Sequence, residues 1–503
     1  MRKILNISLL ILFFSNQVVA QGFYNHVWLL GNFFFIQDPK GRMIFNSTSY
    51  AHSVEFRKMP FLGTEATICD AQGDFLMSSN GIWIANANND TLLNGGGLAP
   101  SYLTSSWPYG IPLGYGAVFL PFPGDSMKYI LFHKSKLGQF AVDPTEIFTS
   151  TIDLNLDNGL GGVISKNDSV LADTLSWGIT ACKHANGRDW WIVCMKDGNP
   201  QSFTFLLTPN GIETMLIQSF NILTNTYGNV SQLMFSPDGS KFIYCSPVNQ
   251  NPSGNLIVSD FDRCTGLFSN INSIPISTSS YLFGLTFSPS GDFIYTCSSN
   301  YIFQINTSSL SIDTVSTYDG FISPPSQTCC ATSFWNMYLA PNGKIYVTSG
   351  SSVQHIHEMN YPDSAGLACD VQQHSIDLGS YLHLRAVPNH PNYNLGPVVG
   401  SLCDTLSVGI EEQEYDFHFG ISPNPTESGI VKFVYLLPQN KSGDLSVYSI
   451  TGQLIYKQHL PPWSSLQLID LSNMPSGIYT CVLTSETHRT AKKLVVMGGS
   501  GAK

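Results

Sequence analysis

His355 and His357, one residue apart and followed by Glu358, come closest in this sequence to a metal-ligand pattern. Alternate residues of a strand share a face, so both imidazoles could meet one ion; a zinc site needs three or four ligands, however, and no third is identifiable. They are expected to be polar surface or loop histidines, with no metal and no cofactor bound. Asp260 and Asp262 flank Phe261 on one strand face, as acid–base pairs sometimes do. The turn that follows, Arg263-Cys264-Thr265-Gly266, reads them instead as solvated strand-end acids. His383 and His390, with Arg385 and Asn389, fall where a chain of this kind should close, and either project toward one face or satisfy backbone groups in an irregular connection. Trp107, Tyr109 and Tyr115 stand in a Gly/Pro-rich stretch, and exposed rings on a rigid loop can stack on a sugar or anchor a protein. Candidate binding residues are therefore Trp107, Tyr109, Tyr115, His383 and Arg385. With no nucleophile elbow, paired-Cys zinc signature, P-loop or EF-hand loop, no catalytic residue is assigned.

The elements that must position these residues repeat. Ser236-Pro237-Asp238-Gly239 returns as Ser288-Pro289-Ser290-Gly291 and as Ala340-Pro341-Asn342-Gly343, with the prolines 52 residues apart each time. Apolar runs flank each copy, so each unit reads strand, turn, strand; proline presets the first turn position and glycine takes the left-handed one. Related turns end at Gly73, Gly124 and Gly187, so that six hairpin glycines are separated by 51, 63, 52, 52 and 52 residues. A tandem period of this size built on strands is the mark of a propeller or solenoid, and four strands per unit suit a propeller blade. Residues 22–409 have room for about seven blades. The seventh is expected to be composite, residues 41–45 and 53–56 closing against strands near 384–399.

The chain is 43% hydrophobic and 12% charged, against roughly 25% charged residues in average globular domains. Met1-Arg2-Lys3, the apolar run 4–14 and Val18-Val19-Ala20 form an expected signal peptide over residues 1–20, with the mature chain starting at Gln21. No later apolar run is long enough to suggest a membrane span. Removing Arg2 and Lys3 from the 24 basic residues leaves 22 against 35 acidic ones, a balance that argues against nucleic acid and anionic membrane as partners. Eleven cysteines in an exported chain leave at least one unpaired in a monomer. Cys182 with Cys194, and Cys369 with Cys403, are the candidate disulfides. Cys329-Cys330 could form a vicinal bridge, though two separate thiols are the favoured reading.

An acidic stretch at 410–420 reads as a linker. After it, Ser422-Pro423-Asn424-Pro425, Leu445-Ser446-Val447-Tyr448-Ser449-Ile450-Thr451-Gly452-Gln453, Ser476-Gly477-Ile478-Tyr479 and Lys492-Lys493-Leu494-Val495-Val496 lie among short alternating strands that suit a small Ig-like β-sandwich over residues 421–497. These motifs, in this order, resemble the type A C-terminal sorting domain of the type IX secretion system. The resemblance implies passage across the outer membrane by that machinery, usually with removal of the domain. The hairpin array resembles the WD40-like propellers often joined to such domains. Seven Asp-Ser/Thr-apolar triplets, beginning at Asp90, Asp125, Asp168, Asp173, Asp313, Asp363 and Asp404, resemble the O-glycosylation sequon of bacteria that use this route.

The expected fold is all-β: a seven-bladed β-propeller, residues 21–409, then the sandwich. The expected function is a non-enzymatic secreted or cell-surface protein that presents one face of its ring to an extracellular protein or glycan. A hydrolase or lactonase of the propeller type is the rival. It would need at least three acidic or His side chains converging at one ring mouth, a site that leaves no local motif because each residue comes from a different repeat.

Overall fold

The computed structural model describes residues 22–32, 36–135, 145–222, 232–248, 251–278, 280–324, 330–404, 419–435, 437, 442–461, 466–485 and 488–497. The expected signal peptide, Cys329, most of the acidic linker and the tail 498–503 lie outside these residues. The chain divides into two compact units, Met1–Ser407 and Val408–Lys503. Among the described residues no helix is long and apolar enough to cross a membrane.

In the first unit the described strands form, in chain order, a three-stranded sheet, an eight-stranded sheet and four four-stranded sheets. The eight-stranded sheet is two four-stranded meanders joined at their last strands by one parallel pair, Gly162 with Leu93. Counting those meanders separately gives seven sheets. Their first strands are Val27–Leu30, Ala66–Cys69, Ala117–Pro121, Thr180–Lys183, Leu233–Phe235, Leu285–Phe287 and Phe334–Leu339. The 63-residue spacing arises in the third sheet, whose last strand, Gly162–Ala172, runs for 11 residues.

The repeated turn explains itself. Gly239, Gly291 and Gly343 sit at φ of +74°, +79° and +77°, where a side chain would be strained. In the first two copies the leading serine closes the turn: Ser236 Oγ accepts from the Lys241 N–H at 2.9 Å and Ser288 Oγ from the Phe293 N–H at 3.2 Å.

Successive sheets pack face to face through alternating apolar side chains; Phe119, Phe132, Trp190 and Phe205, from the third and fourth sheets, share one core. The last sheet packs on the first. Trp28 lies 5.6 Å from Tyr338 and 5.7 Å from Tyr346, and Phe45 lies 5.4 Å from Tyr346, all edge to face between ring centroids.

The expected composite sheet is not formed. The first sheet takes all three strands from the N-terminal side, Val27–Leu30, Lys40–Phe45 and Tyr50–Glu55, and residues 384–399 contribute none. Pro388, Pro391 and Pro397 lack the N–H that a ladder needs, and Arg385 adopts φ +60°. This stretch instead threads among the sheets.

The expected disulfides are also corrected. Cys403 is bonded to Cys264, Cα atoms 5.6 Å apart, and not to Cys369. Cys182 and Cys194 are free and buried. Cys182 lies opposite Trp191 in the ladder, and Cys194, three residues further along, points to the other face. Burial pushes the thiol pKa of Cys69, Cys182, Cys245 and Cys481 up to about 12, and those of Cys194 and Cys369 to about 11. A thiol reagent at pH 8 should leave these six unlabelled in the native protein and label all six in guanidinium, because thiolate is the reactive form; mass spectrometry of the labelled peptides checks this.

In the second unit, Phe419–Ser422, Ile430–Tyr435 and Leu466–Asp470 form one antiparallel sheet, and Gly443–Tyr448, Leu454–Leu460, Gly477–Ser485 and His488–Val496 form another. Val431, Phe433, Leu445, Val447, Leu483 and Leu494 from both sheets are buried in one core.

Candidate functional site

Residues 381–398 meet the first strands of sheets on several sides. The His383 Nδ1 accepts from the Gly31 N–H at 3.2 Å, and its Nε2 faces the Ala386 carbonyl at 2.6 Å, which fixes the proton on Nε2. The Asn389 N–H donates to the Glu65 carbonyl at 3.2 Å, and its Nδ2 donates to the carbonyls of Ala117 at 2.9 Å and Ile179 at 2.7 Å. These acceptors stand at the start of the first strands of the second, third and fourth sheets. His390 reaches Thr67 of the second sheet through Nε2 at 2.9 Å, and its N–H donates to the Tyr338 hydroxyl of the seventh at 2.8 Å. The Tyr393 hydroxyl donates to the Phe119 carbonyl at 2.9 Å, and Asn392 to that of Pro237 at 2.7 Å. Burial holds both imidazoles neutral, lowering the pKa of His383 to about 4 and of His390 to about 3. His383, expected at a binding face, is thus an interior residue, 1% exposed.

Near the start of this passage lies an acid that no motif announces. Glu65 is fully buried, and no hydrogen bond of ordinary geometry reaches either carboxylate oxygen. Burial raises its pKa well above the usual carboxylate range; the nearby Arg57 guanidinium and Leu29 amide pull the other way and are outweighed. Tyr115, expected to be an exposed ring, is buried with its hydroxyl unpartnered and its backbone at φ +57°. A phenol that packs among Trp28, Tyr338 and Val387 belongs to the core of the sheets.

The other sequence candidates are at the surface. Trp107 and Tyr109 are 46% and 44% exposed, following the short helix Tyr102–Ser106 with its Ser101/Thr104 capping box. The loop is pinned where the Ile111 N–H donates to the Asn80 carbonyl at 3.1 Å. Arg385 is partly exposed and lies 4.5 Å over the Trp335 ring, against which Phe283 stacks at 3.6 Å and 18°. Its left-handed backbone is held by the Ser349 carbonyl, which its N–H reaches at 3.0 Å, and by Asn336 Nδ2, which donates to its carbonyl at 2.8 Å. The Trp107 loop precedes the first strand of the third sheet, and Phe283 that of the sixth; Trp335 opens that of the seventh. Both aromatic groups therefore stand where first strands begin, here termed the leading face.

At the opposite, trailing ends of the first strands is a cavity of about 160 Å³, with Thr180, Met234, Thr286, Tyr338, His390 and Asn392 in its wall. No carboxylate, lysine or arginine lines it. Among the described residues, His390 is the one acidic or His side chain in its wall, fewer than the three that a hydrolytic site of this kind requires.

His355 and His357 do not converge on one point. His357 is buried, its Nε2 2.7 Å from the Thr332 carbonyl and its Nδ1 accepting from the His374 N–H at 2.9 Å. His355 turns to the Ser323 hydroxyl at 3.2 Å. Among the described residues no three His, Cys, Asp or Glu side chains are grouped to hold a metal. Asp260 pairs with Lys241 at 2.8 Å, and Asp262 closes its turn by accepting from the Cys264 N–H at 2.8 Å. Of the triplet hydroxyls, Thr91, Ser126, Ser169, Thr174 and Thr314 are exposed and Ser364 is half-buried, while Thr405 lies outside the described residues.

Residues 420–497 match the family described as the secretion system C-terminal sorting domain. They form a type IX sorting domain. The chain is accordingly handled by the type IX machinery and exported through the periplasm to the cell surface or the medium. No curated protein matches the chain. Among solved structures, it is similar to hydrazine synthase from Kuenenia stuttgartiensis (14% identity, 64% of this chain and 83% of that one, TM-score 0.35). It is also similar to a hypothetical selenium-binding protein from Sulfolobus tokodaii (8% identity, 74% and 94%, TM-score 0.40). A third is a protein described as TolB from Agrobacterium tumefaciens (18% identity, 54% and 84%, TM-score 0.31).

Proposed function

We propose that residues 22–407 form a closed seven-bladed β-propeller of WD40-like repeats, followed by an Ig-like sandwich, and that the leading face of the ring binds an extracellular protein or glycan. Two features support closure: the last sheet packs on the first, and one short segment reaches the first strands of the second, third, fourth and seventh sheets. A radial arrangement brings all of these strands to one axis.

The observation that carries the binding reading is the stacked, partly exposed group of Phe283, Trp335 and Arg385 on the same face as Trp107 and Tyr109. Rigid aromatic rings beside an arginine present large contact area at small entropic cost, and such residues dominate protein interfaces. Tyr115 and the passage 381–398, which contains His383, act by holding this face in shape.

Full chain immobilised and exposed to culture fluid and envelope extracts should retain a partner. Trp335→Ala and the double variant Trp107→Ala/Tyr109→Ala should each retain at least about tenfold less, as loss of an interface anchor does. Equal retention by wild type and both variants at matched folding would contradict the reading.

A further inference from the structure

The segment that ends the first unit enters the ring at the leading face and leaves at the trailing one. At entry, the Arg385 N–H donates at 3.0 Å to the carbonyl of Ser349, which lies opposite Phe334 at the start of the seventh sheet's first strand. Asn389, His390 and Tyr393 then cross the first strands as described. At exit, Arg263 Nη2 donates to the Gly396 carbonyl at 2.6 Å, and the Val398 N–H to that of Ala185 at 2.8 Å. Beyond this point the noncovalent hold thins, with Val399 86% and Leu402 97% exposed. The next anchor is covalent: Cys403 is bonded to Cys264, on the turn beside Arg263.

A strand threaded through a closed ring can leave without unfolding the ring only if its free end is drawn back through. In the whole chain that end carries a sandwich with its own core, too bulky to pass a channel in which a single asparagine amide meets the carbonyls of two sheets. The sorting-domain resemblance implies that this domain is removed after export, and the stopper goes with it. We propose that the Cys264–Cys403 disulfide takes over as the stopper, a covalent latch that keeps residues 386–398 seated once the chain has been cut beyond Asp404. The inference rests on the closed-ring reading above. The latch must form before the cut. Two thiols give up two protons and two electrons to the disulfide of a thiol–disulfide exchange protein, which leaves as a dithiol, and the periplasm is a compartment that permits this.

The test uses the full chain with a site for a sequence-specific protease inserted after Glu412, as wild type and as Cys264→Ser/Cys403→Ser, each before and after cutting. The readout is chymotryptic cleavage after Tyr393, 6% exposed when seated, followed by mass spectrometry. Cleavage tracks the population of the withdrawn form. The uncut proteins and the cut wild type should resist, whereas the cut double-serine variant should be cleaved at least about tenfold faster. Cut wild type treated with a phosphine reductant should behave like that variant, a second route that needs no substitution. Equal resistance of the cut forms with and without the disulfide would overturn the latch, as would sensitivity that does not depend on the cut. Rapid cleavage after Tyr393 in the uncut, oxidised wild type would instead overturn the ring reading on which the latch rests.

Discussion

Asn389→Ala is expected to destabilise the first unit by roughly 2–6 kcal/mol, since two buried carbonyls, those of Ala117 and Ile179, lose their donor at once and each such orphan costs about 1–3 kcal/mol. The residue is 3% exposed, so water cannot readily replace the amide. Asn389→Asp is the sharper variant. It keeps the shape but puts a carboxylate, which accepts and cannot donate, against two carbonyl oxygens, and it should destabilise at least as much above pH 5. Urea unfolding followed by tryptophan fluorescence measures both. A midpoint within experimental scatter of wild type for Asn389→Ala would mean that the amide does not join the sheets.

The second large effect is expected at Glu65. Its folded-state pKa lies well above its unfolded one, so the folded state holds a proton that the unfolded chain has released. The associated stability is complete below about pH 4, where both states are protonated, and is lost as pH rises toward the folded-state value, at about 1.4 kcal/mol per pH unit from this group alone. Glu65→Gln keeps the shape without the ionisation. The variant should match wild type near pH 4 and become more stable than it as pH rises above the unfolded-state value, the gap widening until the folded-state value is reached. Arg57 does not need Glu65 as its counter-ion, because its guanidinium pairs with Glu55 at 2.7 Å and donates to the Gly41 carbonyl at 2.9 Å. Parallel urea titrations across this range decide the matter. A pH-independent gap, or a variant less stable than wild type at pH 8, would show that the carboxylate is charged in the folded protein.

What could be read along the chain was what local chemistry dictates. The turns ending in Gly239, Gly291 and Gly343 declare themselves because a left-handed position and a preset proline need particular residues in order. The strands around them follow from the alternation of apolar residues. The sorting domain was legible for a different reason: several of its motifs recur in a fixed sequence. The passage 384–399 was misread as strand because its apolar residues outweighed the message of Pro388, Pro391 and Pro397. Tyr115 is buried where an exposed ring is expected, and His383 satisfies backbone groups, the second of its two readings, because burial is decided by distant segments: the His383 partner Gly31 is 352 residues away. Cys403 found Cys264 for the same reason. Glu65 had no signal at all. A single acid beside a strand resembles any surface carboxylate until the neighbours that exclude water are known. The Gly/Pro-rich surroundings of Trp107 and Tyr109 imply a surface loop, and both rings are exposed.

The central claim, that seven sheets close around residues 386–398, is tested most directly by native-state amide exchange read residue by residue. The N–H groups of Asn389, His390 and Val398, bonded to Glu65, Tyr338 and Ala185, should exchange as slowly as those of the strand Trp190–Met195, since all open only when the ring opens. Exchange of these three amides at the rate of the exposed Val399 and Leu402 would contradict the account, for a segment that water reaches so freely cannot lie on the axis.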